Sequence, residues 1–168
     1  KSAAQARLDQ DYGMAFQQSG LFEWRSVAKN IELPLELKGW DKRRRAERVR
    51  EMLDLVKLPD RGANMPWELS GGQQQRIALA RALAAHPPLL LMDEPFGALD
   101  PIIRSKAQDD LLGIQRRFGT TIILVTHDID EAFRLGDRVA VMSQGRLLQH
   151  DRPAVLLTQP AGPFVAQL

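Results

Sequence analysis

Two adjacent carboxylates close a short aliphatic run, Leu89-Leu90-Leu91-Met92-Asp93-Glu94-Pro95. A run that is apolar without alternation reads as a parallel strand buried on both faces. Its end then lies at the carboxyl edge of a sheet, where α/β proteins bind ligands. There the two residues can divide the work. Asp93 can hold Mg²⁺, directly or through water, and Glu94 can orient and deprotonate an attacking water. The plainer alternative is a pair of solvated carboxylates at a strand end.

Three further segments carry candidate chemistry. Leu69-Ser70-Gly71-Gly72-Gln73-Gln74-Gln75-Arg76 puts a serine and two glycines at the start of a helix. Such a start offers bare N–H groups and the positive end of the helix dipole to an anion, and glycine lets a phosphate approach the backbone. An ordinary capped helix after a turn has the same letters. Val125-Thr126-His127-Asp128 places a histidine directly after an apolar strand. That strand is expected beside the Leu89–Met92 strand, which would bring His127 near Glu94. A neutral imidazole there can contact a terminal phosphate and the attacking water, although a lone histidine at a strand end is more often structural. Gln17 follows apolar Met14-Ala15-Phe16 and could reach a metal-bound water through its amide; a lone glutamine says little by itself.

The surrounding pattern supplies elements to hold these groups. Met14–Phe16 reads as a short strand, and residues 27–40, with Pro34 and Gly39, as helix interrupted by turns. Ala46, Val49, Met52, Leu53 and Val56 recur at helical spacing from Arg44 until Pro59 stops them. Residues 60–68 read as a loop. A helix is expected from Gly72 to Ala85 with Ser70 near its N-cap, and Ala78, Ala80, Ala82 and Ala84 let it pack closely on a sheet. Ile102–Phe118 repeats the helical period and Gly119 closes it. Thr121–Val125 reads as a second buried strand, followed by a helix from Asp128 to Leu135. Val139–Met142, the turn Ser143-Gln144-Gly145 and Arg146–Gln149 read as a β-hairpin, with one more helix around Ala154–Leu157. Strand and helix alternate, which predicts an α/β fold with a mostly parallel sheet. Residues 20–70 contribute only helices and are expected to form a helical lobe beside that sheet.

Composition narrows the function classes. Apolar residues make up 44% and charged residues 26%, and 23 basic against 21 acidic side chains leave a net charge of +2. That surplus is too small to argue for nucleic acid or membrane. The densest basic run, Lys42-Arg43-Arg44-Arg45, is flanked by Asp41 and Glu47 and reads as a solvated helix face. The absence of cysteine excludes disulfides and thiolate metal sites. No apolar run approaches the ~20 residues that span a bilayer, and the first residues lack a signal-peptide pattern. Any role in a membrane process would be exercised from the side, through a separate membrane subunit.

In order and spacing these segments resemble the ATPase domain of ABC transporters over practically the whole chain. Phe16-Gln17 is similar to the family's Q-loop, and Leu69–Gln73 reproduces its signature motif. Leu89–Glu94 is similar to Walker B with its adjacent glutamate, Ala98-Leu99-Asp100 to the D-loop, and His127 to the switch histidine. The resemblance implies a P-loop NTPase-like α/β fold. About residues 20–70 would be the helical subdomain and 71–168 the remainder of the core with a C-terminal hairpin. It implies ATP and Mg²⁺ as cofactors, and Glu94, His127 and Gln17 as catalytic groups. Asp93 and Gln17 would serve the metal, and Ser70, Gly71, Gly72, Gln73 and Asp100 the nucleotide. Partners would be a second ATPase subunit in a head-to-tail dimer, membrane permease subunits and, indirectly, a substrate-binding protein, with no nucleic acid. The location would be cytoplasmic, at the inner face of the cell membrane. Asp93–Ile102 and Thr126–Ala132 resemble importer ATPases. Leu135–Met142 is most similar to the glycine betaine/choline (osmoprotectant) group, with taurine, sulfonate and nitrate importers sharing much of it. Soluble ABC ATPases of DNA repair or translation tend to carry a heptad insertion or a tandem domain, and neither pattern occurs here.

One expected motif is missing. Nucleotide hydrolysis in this family uses Gly-x-x-x-x-Gly-Lys-[Ser/Thr], whose backbone cradles the phosphates, and no Gly-Lys pair occurs in the 168 residues. Lys1-Ser2 fits poorly as its tail, because a following helix and returning strand would need ~20 residues before Gln17. The sequence therefore predicts an N-terminally truncated ATPase domain that neither binds ATP tightly nor hydrolyses it alone. A non-catalytic module that pairs with an intact ATPase is the alternative.

Overall fold

A computed structural model describes residues 2–9, 11–97 and 99–167. The chain forms two compact units, Lys1–Val125 and Thr126–Leu168. The first contains helix α1 (Ala3–Leu8), strand β1 (Tyr12–Ala15), helices α2 (Val27–Leu37), α3 (Lys42–Leu55) and α4 (Gly71–Ala84), strand β2 (Leu89–Asp93), helix α5 (Pro101–Phe118) and strand β3 (Thr121–Val125). The three strands make one parallel sheet in the order β1-β2-β3, with Ala15 opposite Met92 and Met92 opposite Leu124.

Strand alternation gives this sheet two unlike faces. Gly13, Ala15, Leu90 and Met92 share the buried face. Helix α4 packs on β1 there. The contact is direct: a Cβ on Gly13 would lie 2.3 Å from the Ala82 carbonyl oxygen. No larger residue fits there without moving backbone. The small-residue face of α4 makes that approach possible, with Ala78, Ala80 and Ala84 all fully buried. The other face carries Met14, Ile123 and Val125, which are 39%, 52% and 55% exposed. The expectation that Thr121–Val125 is buried on both faces is therefore corrected. Its uniform apolarity anticipates two covered faces, and among the described residues only one is covered.

Helices α2 and α3 pack against each other and against α4, building a three-helix lobe. Val27, Ile31 and Leu35 of α2, Met52 of α3 and Ile77 of α4 are fully buried in it. Helix α2 runs unbroken through Pro34, contrary to the interrupted reading of residues 27–40. The ring removes one backbone donor, but burial of the Val27-Ile31-Leu35 stripe holds the helix together across that gap. Gly39, in the left-handed region, then ends it. Its N–H donates to the Glu36 carbonyl and the Trp40 N–H to the Leu35 carbonyl, a Schellman-type closure. Buried Asn30 pins the preceding connection: its amide accepts from Phe22 N–H and donates to the Phe22, Arg25 and Ser26 carbonyls. The stretch read as a loop over residues 60–68 contains two 3₁₀ turns, Pro59–Arg61 and Pro66–Glu68.

Two boundaries differ near the start. Phe16 lies just past β1 and is half exposed, because pairing with β2 begins at Tyr12 opposite Leu89 and ends at Ala15. The interval before Gln17 holds both a helix and a strand, since α1 spans only six residues. Lys1 of the proposed Lys1-Ser2 remnant lies outside the described residues.

The second unit comprises helix α6 (Ile129–Leu135), an antiparallel hairpin of β4 (Val139–Ser143) and β5 (Arg146–Asp151), helix α7 (Pro153–Thr158) and a 3₁₀ turn at Val165–Gln167. Gln144 and Gly145 both have positive φ and form the two-residue turn between the strands. That conformation has the backbone twist that tight hairpins favour. Val141, Leu156 and Val165 make a small core, with Phe133 and Val139 packed against it. Among the described residues no helix is long and apolar enough to cross a membrane.

Candidate functional site

The carboxyl edge of the parallel sheet gathers the first group of predicted residues. Asp93 ends β2 opposite Val125 and is exposed, and the Glu94 N–H donates to the Val125 carbonyl at 2.9 Å. Strand β3 thus lies beside β2 as expected and fixes the backbone that follows it. Glu94 adopts a positive φ, in the left-handed region. That conformation costs a non-glycine residue energy and is common where a side chain must be aimed. The Gly97 N–H closes a turn onto the Glu94 carbonyl at 3.2 Å.

That turn brings Glu94 to Gln17. The Gln17 Nε2 donates to Glu94 Oε2 at 3.3 Å, joining residues 77 apart in sequence. A Cβ on Gly97 would stand 3.6 Å from Gln17 Nε2 and 3.7 Å from Glu94 Oε2, so a bare glycine backbone walls this contact. Asp93 and Gln17 offer hard oxygen donors of the kind Mg²⁺ takes alongside water and phosphate. Among the described residues no group of three or more His, Cys, Asp or Glu side chains could hold a metal by itself. The donor set therefore fits an Mg²⁺ that depends on a phosphate ligand, and does not fit an all-protein metal cage.

The second group lies at the start of α4. Ser70 is the N-cap: its hydroxyl accepts from Gln73 N–H, and Gln73 Oε1 accepts from Ser70 N–H at 3.0 Å. This capping box turns the Gln73 amide back onto the helix start. The two glycines differ. A Cβ on Gly72 would touch Leu99 Cδ2 and Ile103 Cγ2 at 3.5 and 3.6 Å, whereas a Cβ on Gly71 would meet nothing within 4 Å. Gly71 is thus the glycine at which a ligand can approach bare backbone. Asp100 caps α5, accepting from Ile102 and Ile103 N–H at 3.1 Å each. Its D-loop neighbour Ala98 lies outside the described residues.

His127 belongs to the second unit, where Asp128 caps α6 by accepting from Glu131 N–H at 3.0 Å, and Thr126 Oγ1 accepts from Asp128 N–H. Residues absent from the sequence expectations stand behind Gln17. Gln75 Nε2 donates to the Gln17 carbonyl, Gln74 accepts from the Ser19 hydroxyl, and Arg81 donates to the Ser19 and Gly20 carbonyls. The signal that could have found them is a run of amides and a cation along the helix that follows the signature glycines.

A parallel sheet flanked by helices, with a carboxylate pair at its carboxyl edge, is the framework of an α/β ligand-binding domain. The chain belongs to the ABC transporter family, whose family model matches residues 2–97. It is 50% identical over 160 residues to the osmoprotectant import ATP-binding protein OsmV of Salmonella typhimurium, covering 94% of this chain and 42% of that protein. It is 51% identical over 162 residues to the sulfate/thiosulfate import ATP-binding protein CysA 2 of Chromobacterium violaceum, covering 96% of this chain and 44% of that one. The chain thus spans less than half the length of these relatives. The solved structure of cbiO1 from Clostridium perfringens, part of the ABC transporter complex cbiONQ, superposes with a TM-score of 0.84 at 28% identity, covering 96% of this chain and 64% of cbiO1.

Proposed function

We propose that this chain serves as the ATP-hydrolysing subunit of an ABC importer, energising uptake of an osmoprotectant such as glycine betaine or choline. The observation that carries the catalytic part is the Gln17–Glu94 hydrogen bond at the sheet edge. It joins an amide able to orient water to a carboxylate able to take its proton. Glu94 would deprotonate the attacking water, Gln17 would hold that water and the metal's hydration shell, and Asp93 would carry the metal. Mg²⁺, when bound, supplies charge neutralisation at the phosphate oxygens. His127 would contact the terminal phosphate. Ser70, Gly71, Gly72 and Gln73 would face a nucleotide held by a second ATPase subunit, packed head to tail, with Asp100 beside them. About residues 20–70 would form the helical subdomain that couples the Q-loop to permease subunits, with a substrate-binding protein upstream, at the inner face of the cell membrane. Membership of cbiO1 in a transporter complex supports those partners.

The osmoprotectant assignment is supported by the likeness to OsmV and by the Leu135–Met142 segment. CysA 2, equally similar, serves a different solute class, as expected when the ATPase subunit never touches the solute. Glu94→Gln in an ATPase complex containing this chain is expected to abolish turnover and accumulate ATP-bound dimers; undiminished turnover would sink the reading. With no Gly-Lys pair among its residues, the 168-residue chain alone is expected to show no micromolar ATP binding by calorimetry. Such binding would overturn that statement. The second reading is a non-catalytic module that pairs with an intact ATPase and lends it only Ser70 and Gly72. Full activity of the Glu94→Gln complex would support it.

A further inference from the structure

Gln17 can act on water beside Glu94 only if its backbone is held, yet it lies in a segment outside every helix and strand, between β1 and α2. What holds the segment is one side of α4. Gln75 donates to the Gln17 carbonyl. Arg81 donates to the Gly20 carbonyl at 2.8 Å and to the Ser19 carbonyl at 3.1 Å. The Ser19 hydroxyl donates to Gln74 Oε1 at 3.1 Å. Gln74 in turn donates to the Pro66 carbonyl at 2.9 Å, just ahead of the signature serine. The three consecutive glutamines therefore have separate tasks. Gln73 closes the helix start, Gln74 ties the approach to Ser70 onto Ser19, and Gln75 grips Gln17.

We infer that Gln75 is a positioning residue: through its amide, the helix that presents Ser70 and Gly71 holds the chain's own Gln17 against Glu94. The chemistry suits the task. A glutamine amide donates to a carbonyl without adding charge beside Glu94, and it springs from a helix whose Ile77, Ala78 and Ala80 are fully buried, so the anchor point is rigid. Any displacement of the start of α4 moves the Gln75 amide with it, and Gln17 follows. The inference rests on the reading of Gln17 and Glu94 as catalytic groups, and the test separates the two.

Gln75→Glu keeps the length of the side chain and removes its donor; Gln75→Ala serves the same purpose should the charged variant not fold. Limited chymotryptic proteolysis of the full chain is expected to cut after half-exposed Phe16 about 5- to 10-fold faster, with α4 uncut. In an ATPase complex containing the chain, kcat is expected to fall about 10-fold with KM for ATP unaltered. In a Gln17→Ala background the same substitution should cost nothing further. Unchanged cleavage after Phe16 would overturn the inference. So would a kcat loss of undiminished size in the Gln17→Ala background, because Gln75 would then act elsewhere. If cleavage after Phe16 rises while Gln17→Ala itself leaves turnover intact, the anchor stands and the catalytic role of Gln17 falls.

Discussion

The two ends of α4 are built on opposite plans. At its C-terminal end Arg48 is buried and donates to the Ala84 carbonyl at 2.8 Å and the Leu83 carbonyl at 3.2 Å. The Ala84 carbonyl is an acceptor the helix cannot satisfy by itself, while the Leu83 carbonyl also accepts from the His86 N–H at 3.0 Å. Glu51 holds the guanidinium from the side at 2.7 Å, and β1 presses on Ala82 through Gly13. At its N-terminal end Ser70 and Gly71 are exposed, and the closure is a capping box local to the helix. One end is fixed by tertiary contacts and the other is left presentable. A helix anchored this way can offer a backbone edge to a ligand without losing its place on the sheet.

Substitutions at the two ends should therefore behave differently. Gly13→Ala drives a Cβ into the Ala82 carbonyl and is expected to cost about 3 kcal/mol, read as a lower urea midpoint at constant m-value. A cost under about 1 kcal/mol would mean that α4 can slide off β1, and the anchored-end description would fail. Arg48→Met leaves the buried Ala84 carbonyl without its donor and Glu51 without its ion pair, for an expected loss of about 2 kcal/mol in the same assay. At the exposed end, Ser70→Ala should cost about 1 kcal/mol through the lost cap. Gly71→Ala should stay within about 0.5 kcal/mol. If Gly71→Ala destabilised as much as Gly13→Ala, the N-terminal end would be packed and not presented.

The smallest effect concerns pH. The Arg48 guanidinium lies 3.2 Å from His86 Nδ1. A guanidinium can only donate, so Nδ1 must accept and the imidazole must be neutral. Partial burial first, and then the Arg48 charge, hold His86 below its usual 6.5. A base lowered on folding contributes stability above its unfolded pKa and loses it as pH falls, so stability should decline as pH drops below about 6.5. His86→Gln should flatten that decline in denaturation curves taken across the range.

Much of the candidate site was legible in the residue types. The carboxylate pair at an aliphatic strand end, the serine-glycine helix start and the histidine after a second strand are local patterns with local physical causes. The strand pairing that ties Glu94 to Val125 followed from two apolar runs of similar length. The helix through Pro34 was not legible, because a proline is a local signal while the burial of Val27, Ile31 and Leu35 that overrides it is not. The exposed face of β3 was misread for a related reason: a run of apolar letters says what a strand could bury, not what covers it.

What the sequence by itself determined is the inventory and order of the motifs, including the absence of a Gly-Lys pair, since composition and spacing are complete in one dimension. Only the tertiary structure decided that Gln17 meets Glu94, that Gly71 and not Gly72 faces open space, and that Gln74, Gln75 and Arg81 grip the segment carrying Gln17. The physical reason is that amides and guanidinium groups read alike wherever they stand. The partners of Gln75 and Arg81 are backbone carbonyls more than fifty residues away, and that of Gln74 is the equally distant Ser19 hydroxyl, which no local pattern encodes.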